Sequence, residues 1–205
     1  MINNNCSTLN NRLDLFTIAE LIPDNSRVLD LGCGDGTLLR YLRENKAVKG
    51  SGIELSQEQI LECVKKGVPV IHGNLNDGLS DIKNNMFDFV ILTQTLQSVQ
   101  RPDKLLLEMT RIGKKVIISV INMGFYKSRL QLMFTGKMPV TKTLPHEWYN
   151  TPNIHLSTIK DFQNLTKKLN LKIIERKPLH RSIRCLAELY PNLFSPTCVF
   201  ILEKN

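Results

Sequence analysis

The sequence contains no C-x-x-C pair, no apolar run near the roughly 18 to 20 residues that a membrane span requires, and one tryptophan in 205 residues. Each absence excludes something. The five cysteines, Cys6, Cys33, Cys63, Cys185 and Cys198, are odd in number and scattered, which argues for reduced thiols and against a disulfide framework or a zinc site. The longest apolar runs, such as Val116 to Ile121, are too short for a transmembrane helix. The first eleven residues, 1–11, are polar and Asn-rich without an apolar h-region, so secretion is not signalled and a cytoplasmic protein is expected. Acidic residues are the scarcer sign, 19 against 27 Lys plus Arg, which leaves a formal charge of +8. Such an excess can serve nucleic acid or an anionic membrane. Here it comes as separated pairs, Lys65-Lys66, Lys114-Lys115, Lys167-Lys168 and Arg176-Lys177, the pattern of solvated faces and helix ends. No repeat, low-complexity tract or linker divides the chain. The expectation is a polar arm over 1–11 and one domain over 12–205.

What is present is a rhythm. Residues 12–22 carry Leu13, Phe16, Ile18, Leu21 and Ile22 at helical spacing before Pro23 stops them. From Arg27 onward, short apolar runs alternate with helical stretches: 28–31 then 38–44, 48–53 then 56–66, and 68–71. Further runs follow at 87–92 and 116–121, with a helix at 102–112 between them. This is the order of a parallel sheet covered on both faces, an α/β single domain. Ser56 with Gln59 forms a capping-box pattern, Pro102 suits a first helical turn, and Gly113 suits the exit. Ser157 and Thr158 offer N-caps for a helix to about Leu169, with Asp161 near its positive end. The last two runs, 171–176 and 198–203, have strand composition with no convincing helix between them, which predicts an antiparallel terminal pair.

The most informative stretch is Val28 to Gly36, where an apolar strand runs straight into Gly32-Cys33-Gly34-Asp35-Gly36 and then a helix. Glycine is needed where backbone takes positive φ or a ligand must approach without a Cβ in the way, and ligands of open parallel sheets sit at the carboxyl ends of the strands. The dinucleotide fingerprint G-x-G-x-x-G is not met, because Thr37 stands where its third glycine belongs. Asp30 and Asp35 flank the loop. Two carboxylates disfavour a bare phosphate and favour a ligand carrying an amino group or other positive charge. Glu54 ends the next strand, 18 residues after Gly36, where an acid can accept both hydroxyls of a ribose. His72-Gly73-Asn74-Leu75-Asn76-Asp77 follows the third strand with side chains able to read an adenine edge, and Thr93-Gln94-Thr95 ends the fourth. Cys33 reads as a small buried thiol, since no base lies adjacent to it in sequence. Together these residues point to a nucleoside-type ligand.

Residues 27–36 with Gly52-Ile53-Glu54 resemble the cofactor site of class I S-adenosylmethionine-dependent methyltransferases. That resemblance implies a Rossmann-like, mostly parallel seven-stranded sheet with an antiparallel last strand. By position, Asp30 and the backbone of Gly32, Cys33, Gly34, Asp35 and Gly36 would hold the methionine part, and Glu54 the ribose. Asn74 stands where many members place an aspartate for the adenine amino group, and its amide oxygen can accept the same bond. Leu55, Leu75 and Gln94 complete the implied cofactor set. Leu92 to Val99, Arg129 to Leu132, Gly136 to Lys142, His146 to Tyr149 and Thr151 to Leu156 are similar to the MetW family of methionine-biosynthesis proteins, over roughly residues 12–179. Membership implies a cytoplasmic protein that works with homoserine O-acyltransferase, and it names no methyl acceptor.

Between the run ending at Ile121 and the helix after Ser157 lie the 34 residues 122–155, long for a structureless connection. Residues 125–134 can supply a helix closed by Gly136. The insert holds the single Trp, two of four Tyr and two of four His. In one reading it caps an acceptor pocket with His155, then Tyr149 or His146, as the proton acceptor for methyl transfer. In the other, Trp148, Tyr149, Phe125, Tyr126 and Arg129 form a protein-contact patch, and the cofactor is a structural or sensory ligand. A nucleic-acid methyltransferase lacks its N-P-P-Y-type tetrapeptide, Thr93-Gln94-Thr95-Leu96 standing there instead. An NAD-linked oxidoreductase would have to tolerate the missing glycine. Neither a metal, a nucleic acid nor a membrane is expected as a partner.

Overall fold

The computed structural model describes Leu9 and residues 12–205. The polar arm expected over 1–11 therefore lies, Leu9 apart, outside the described residues. Helix α1 (Leu13–Leu21) leads into β1 (Arg27–Leu31), α2 (Thr37–Lys46), β2 (Lys49–Glu54), α3 (Gln57–Lys65) and β3 (Val70–His72). The second half runs β4 (Phe87–Thr93), α4 (Pro102–Ile112), β5 (Gly113–Ile121), α5 (Tyr126–Thr135), α6 (Ile159–Lys168), β6 (Leu171–Leu179), α7 (Arg184–Leu189), α8 (Pro191–Phe194) and β7 (Thr197–Lys204). The seven strands form one sheet in the order β3-β2-β1-β4-β5-β7-β6. β1 to β5 pair in parallel, and β7 runs antiparallel to both β5 and β6. The α/β class and the reversed last strand are as the sequence predicts.

The period of two explains why the central strands read as unbroken apolar runs. Val90, Leu92, Val116, Ile118 and Phe200 face one cluster, in which Leu106 and Met109 of α4 and Phe162 of α6 pack. Their neighbours Phe89, Ile91, Ile117, Val199 and Ile201 face the other, closed by Ile18 of α1 and Leu38 and Leu42 of α2. Both sheet faces are thus buried, so alternation of side-chain direction leaves few polar positions in the centre, Asp30 of β1 and Ser119 of β5 being buried exceptions.

Helix ends are closed by specific groups. Lys46 Nζ donates to the carbonyls of Ala19 and Ile22 at 2.7 and 2.6 Å, satisfying the C-terminus of α1 ahead of Pro23. Thr158 and Asp161 form the full reciprocal capping box of α6. At α3 only half of the expected box forms: Ser56 Oγ accepts from Gln59 N at 3.4 Å, and no return bond from Gln59 caps Ser56.

The connection from β6 to β7 departs from expectation, since α7 and α8 fill it. With six and four residues and no side-chain N-caps, they are too short to show a helical period. Asn122, 2% exposed, ties in the second of them, α8. Its Nδ2 donates to Asn192 O and Ser195 O at 3.1 and 2.7 Å, and its Oδ1 accepts from Gly124 N and Ile159 N at 2.9 and 3.3 Å. One amide thereby joins the end of β5, the start of α6 and α8. Gln97, also buried, holds the far end of the insert, its carbonyl accepting from Ile154 N and His155 N at 2.9 and 3.0 Å. The insert contains α5, as the sequence predicts, and no other regular element.

Candidate functional site

The strand order reverses between β1 and β4, which opens a crevice at their carboxyl ends. The loop 32–36 turns into it with Gly32, Gly34 and Gly36 at φ of 68°, 56° and 72°, a region costly for a side-chain-bearing residue. At Gly36 a Cβ would stand 2.9 Å from Cys63 Sγ, so packing as well as conformation demands glycine. At Gly34 a Cβ would meet nothing within 4 Å, which leaves the backbone open to a ligand.

Asp30, Gly32, Cys33, Gly34, Asp35 and Thr37 line a cavity of about 170 Å³, with Arg12 and Gln94 across from them. Asp30 is 2% exposed, and its Oδ1 has no hydrogen-bond partner among the described residues. Burial, reinforced by the charge of Glu54, pushes its pKa up to about 8. An uncompensated buried carboxyl is costly, so a cationic or N–H donor group there would be strongly favoured.

The second acid of the loop behaves differently. Asp35 accepts from Thr37 N at 3.1 Å and Thr37 Oγ1 at 2.7 Å, and it is ion-paired with Lys66. Partial burial opposes its ionisation, yet the bonds from Lys66 and Thr37 outweigh this and hold its pKa below the ordinary value. Both acids line the cavity, but Lys66 balances the charge of Asp35 while Asp30 forms no ion pair among the described residues. The lysine lies 31 residues away in sequence, where spacing gives no hint of it.

Glu54 shapes the loop as well as facing it. Its Oε2 accepts from Gly34 N at 2.8 Å, and its Oε1 from Leu55 N and Ser56 N at 2.8 and 3.0 Å. Leu55 beside it is 57% exposed, an apolar surface next to the crevice. Asn74 Oδ1 accepts from Asn76 N at 3.0 Å as the cap of a short 3-10 turn over Leu75–Asp77, and Leu75 packs partly into the core. Glu54, Leu55, Asn74 and Leu75 stand outside the small cavity.

Cys33 is buried, as expected, with its Sγ 3.9 Å from Cys63 Sγ. Burial and the carboxylate of Asp30 raise its pKa, so it is a thiol at neutral pH. Cys63 donates to Gly34 O at 3.1 Å and braces the loop from α3. Cys33, Cys63, Cys185 and Cys198 are free thiols.

Gln94 sits at φ 52° at the end of β4, and its Nε2 donates to Asp14 Oδ2 at 2.8 Å. Asp14, 4% exposed, also accepts from Arg12 Nε and Nη2 at 2.9 and 2.8 Å. Sequence spacing gives no hint of this Arg12-Asp14-Gln94 unit, in which Asp14 and Gln94 lie 80 residues apart. Its one signal is an acid inside the apolar stripe of α1. The three proton-acceptor candidates line neither the glycine-loop cavity nor the larger one beside it, and His146 is exposed. His155 is exposed with Nε2 3.3 Å from Gln100 O, and Tyr149 is 71% exposed with its ring 5.9 Å from that of Trp148.

Comparison with known proteins adds three findings. A family model described as methionine biosynthesis protein MetW matches residues 12–202. The bifunctional methionine biosynthesis protein MetXA/MetW of Rhodopirellula baltica is 36% identical over 209 aligned positions, covering 97% of this chain and 33% of that protein's length. The chain thus spans about a third of that relative. Among solved structures, an S-adenosylmethionine-dependent methyltransferase from Mesorhizobium loti superposes with a TM-score of 0.70 at 14% identity, over 95% of this chain and 99% of the other. A second from Archaeoglobus fulgidus gives 0.63 at 17%, over 97% and 94%. At these identities the structural likeness establishes the fold alone.

Proposed function

Because the chain belongs to the MetW family of methionine biosynthesis proteins, we propose that it binds S-adenosylmethionine at the glycine loop and acts in methionine biosynthesis together with homoserine O-acyltransferase. The observation that carries the first half is Asp30. Its buried, unpartnered oxygen beside three positive-φ glycines suits the α-amino group of a methionine moiety. The residues present fit that cofactor. Asp30 and the Gly32 to Gly36 backbone would hold the amino-acid end, Glu54 the ribose hydroxyls, and Leu55, Asn74 and Leu75 the base. When bound, the cofactor supplies an electrophilic methyl group on a sulfonium. This chain's own residues bind and orient it: Glu54 fixes the loop through Gly34 N, and Lys66 keeps Asp35 ionised at the start of α2.

Support for the second half comes from the Rhodopirellula relative, whose name joins MetXA and MetW in one polypeptide. The insert also presents Trp148 and Tyr149 with about three quarters of their surface exposed, 73% and 71%. Aromatic side chains of this kind anchor protein interfaces. No helix of the described residues is long and apolar enough to cross a membrane.

The test is calorimetry with S-adenosylhomocysteine, then co-purification with homoserine O-acyltransferase and its rate with and without S-adenosylmethionine. No binding of S-adenosylhomocysteine refutes the cofactor, and no co-purification refutes the partner. A rate unchanged by saturating cofactor refutes sensing. The larger cavity next to the glycine loop favours a second reading, an active methyltransferase, which a label-transfer assay on the complex decides.

A further inference from the structure

A second cavity, about 560 Å³, lies beside the glycine-loop cavity and shares Arg12 and Gln94 with it. Its volume is that of small-molecule sites in general. Its composition is two-sided. Leu13, Phe125, Val140, Leu179 and Pro196 give it an apolar body. Around this stand Lys127 of α5, Lys142 of the insert and Arg181 after β6. Asp14 is the one acid of the lining, and both its oxygens are already taken by Arg12.

Among the described residues, neither Lys127 nor Lys142 forms an ion pair. The fourth polar wall is His180, whose Nδ1 accepts from Ser182 N and Ile183 N at 3.1 and 3.2 Å. That bonding places the ring proton on Nε2, so the neutral imidazole is a donor. Burial and the nearby Lys127 lower its pKa, which keeps it neutral at pH 7. Thr141 and Thr143 add hydroxyls. The lining therefore presents donors and positive charge around an apolar interior, with its carboxylate already spent.

We propose that this cavity is a binding site for a small amphipathic organic anion, an apolar body carrying a carboxylate or phosphate head, with Lys127 and Lys142 neutralising the head. Lys127 Nζ stands 6.0 Å from the centre of the Tyr126 ring, and two lysines lining one cavity without a carboxylate partner gain from an anion there, while the apolar wall selects against inorganic ions. This names a ligand class for the same cavity that favours the second reading above, and the site does not require the cofactor, because Lys127, Lys142 and His180 take no part in the glycine loop although the two cavities share Arg12 and Gln94.

The experiment titrates the full chain with octanoate, octyl phosphate, octanamide and inorganic phosphate by calorimetry, with S-adenosylhomocysteine titrated in parallel. Saturable one-to-one binding of an octyl anion is expected, with octanamide and inorganic phosphate at least about tenfold weaker. The stronger of the two octyl anions identifies the head group. The double variant K127Q/K142Q, both exposed positions, is expected to keep its melting temperature and lose the preference for anion over amide. Octanamide binding as tightly as the anions overturns the proposal. So does an unchanged preference in the double variant, or no binding of any octyl probe. The S-adenosylhomocysteine arm reads the glycine loop separately, so failure of one site leaves the other testable.

Discussion

Glu54 Oε2 accepts the backbone N–H of Gly34 at 2.8 Å, across the crevice between the ends of β2 and β1. The carboxylate that would bind a ribose is thus also the clamp that sets the glycine loop, since its other oxygen caps Leu55 N and Ser56 N. A carboxylate is acceptor-only with about four lone-pair sites; the N–H groups of Gly34, Leu55 and Ser56 take three of them and leave about one for the ribose. Glutamine has fewer: with its carbonyl toward Gly34, its amide would face two N–H donors. Glu54→Ala and Glu54→Gln are both expected to weaken S-adenosylhomocysteine binding by about 1 to 3 kcal/mol, roughly 5- to 150-fold. Wild-type affinity by calorimetry in the alanine variant would remove Glu54 from the site.

Asp30 predicts a pH dependence of stability. Its folded pKa of about 8 lies above the ordinary carboxylate value of 3.8. Between these values the folded chain keeps a proton that the unfolded chain has lost. The contribution is therefore fully present below the unfolded value and is lost as pH rises through about 8. Asp30→Asn mimics the protonated form and cannot ionise, so the melting temperature of the variant is expected to gain on wild type from pH 5 to 9. Parallel melting curves across that range would disprove the raised pKa. The same variant is expected to lose S-adenosylhomocysteine affinity, because an amide cannot match a carboxylate opposite an ammonium group.

Asn122 makes four hydrogen bonds with one buried amide, and it holds together segments far apart in sequence. Asn122→Leu leaves Ser195 O and the N–H groups of Gly124 and Ile159 without that partner, at about 1 to 3 kcal/mol for each group left buried and unsatisfied. Chemical denaturation is expected to show a large loss of stability, on the order of 3 kcal/mol or more. A loss below 1 kcal/mol would mean that water or local rearrangement replaces the hub.

These residues mark where sequence reasoning reaches and where it stops. The sheet, its reversed last strand, the glycine loop and Glu54 are legible because they depend on local periodicity and on spacing within single β-α units. The Thr158 cap is legible for the same reason. The pairing of Lys66 with Asp35, the bracing of Gly34 by Cys63 and the Arg12-Asp14-Gln94 unit depend on side chains meeting across elements, and no local pattern encodes that. The helices α7 and α8 escape because they are too short to show a period, and α8 is fixed in part by tertiary bonds to Asn122. His155 and Tyr149 are chemistry-bearing types in a long insert. The fold instead turns them to the surface, away from both cavities.

That outward placement leads to the last prediction. Trp148 and Tyr149 meet edge to face at 5.9 Å, with 73% and 71% of their surfaces exposed. Burying such rings gives a partner much apolar area for few frozen torsions, which is why aromatic anchors dominate interface energetics. Trp148→Ala and Tyr149→Ala are expected to weaken the complex with homoserine O-acyltransferase by about 2 kcal/mol or more each, roughly 30-fold. Neither ring supports the core, so melting temperature and S-adenosylhomocysteine affinity are expected to stay at wild-type values. Affinity measured by surface immobilisation of the acyltransferase separates the outcomes. If both variants bind as wild type does, the insert's aromatic pair is not the docking face. If both variants also lose cofactor affinity, the pair acts on the fold, and the interface assignment fails.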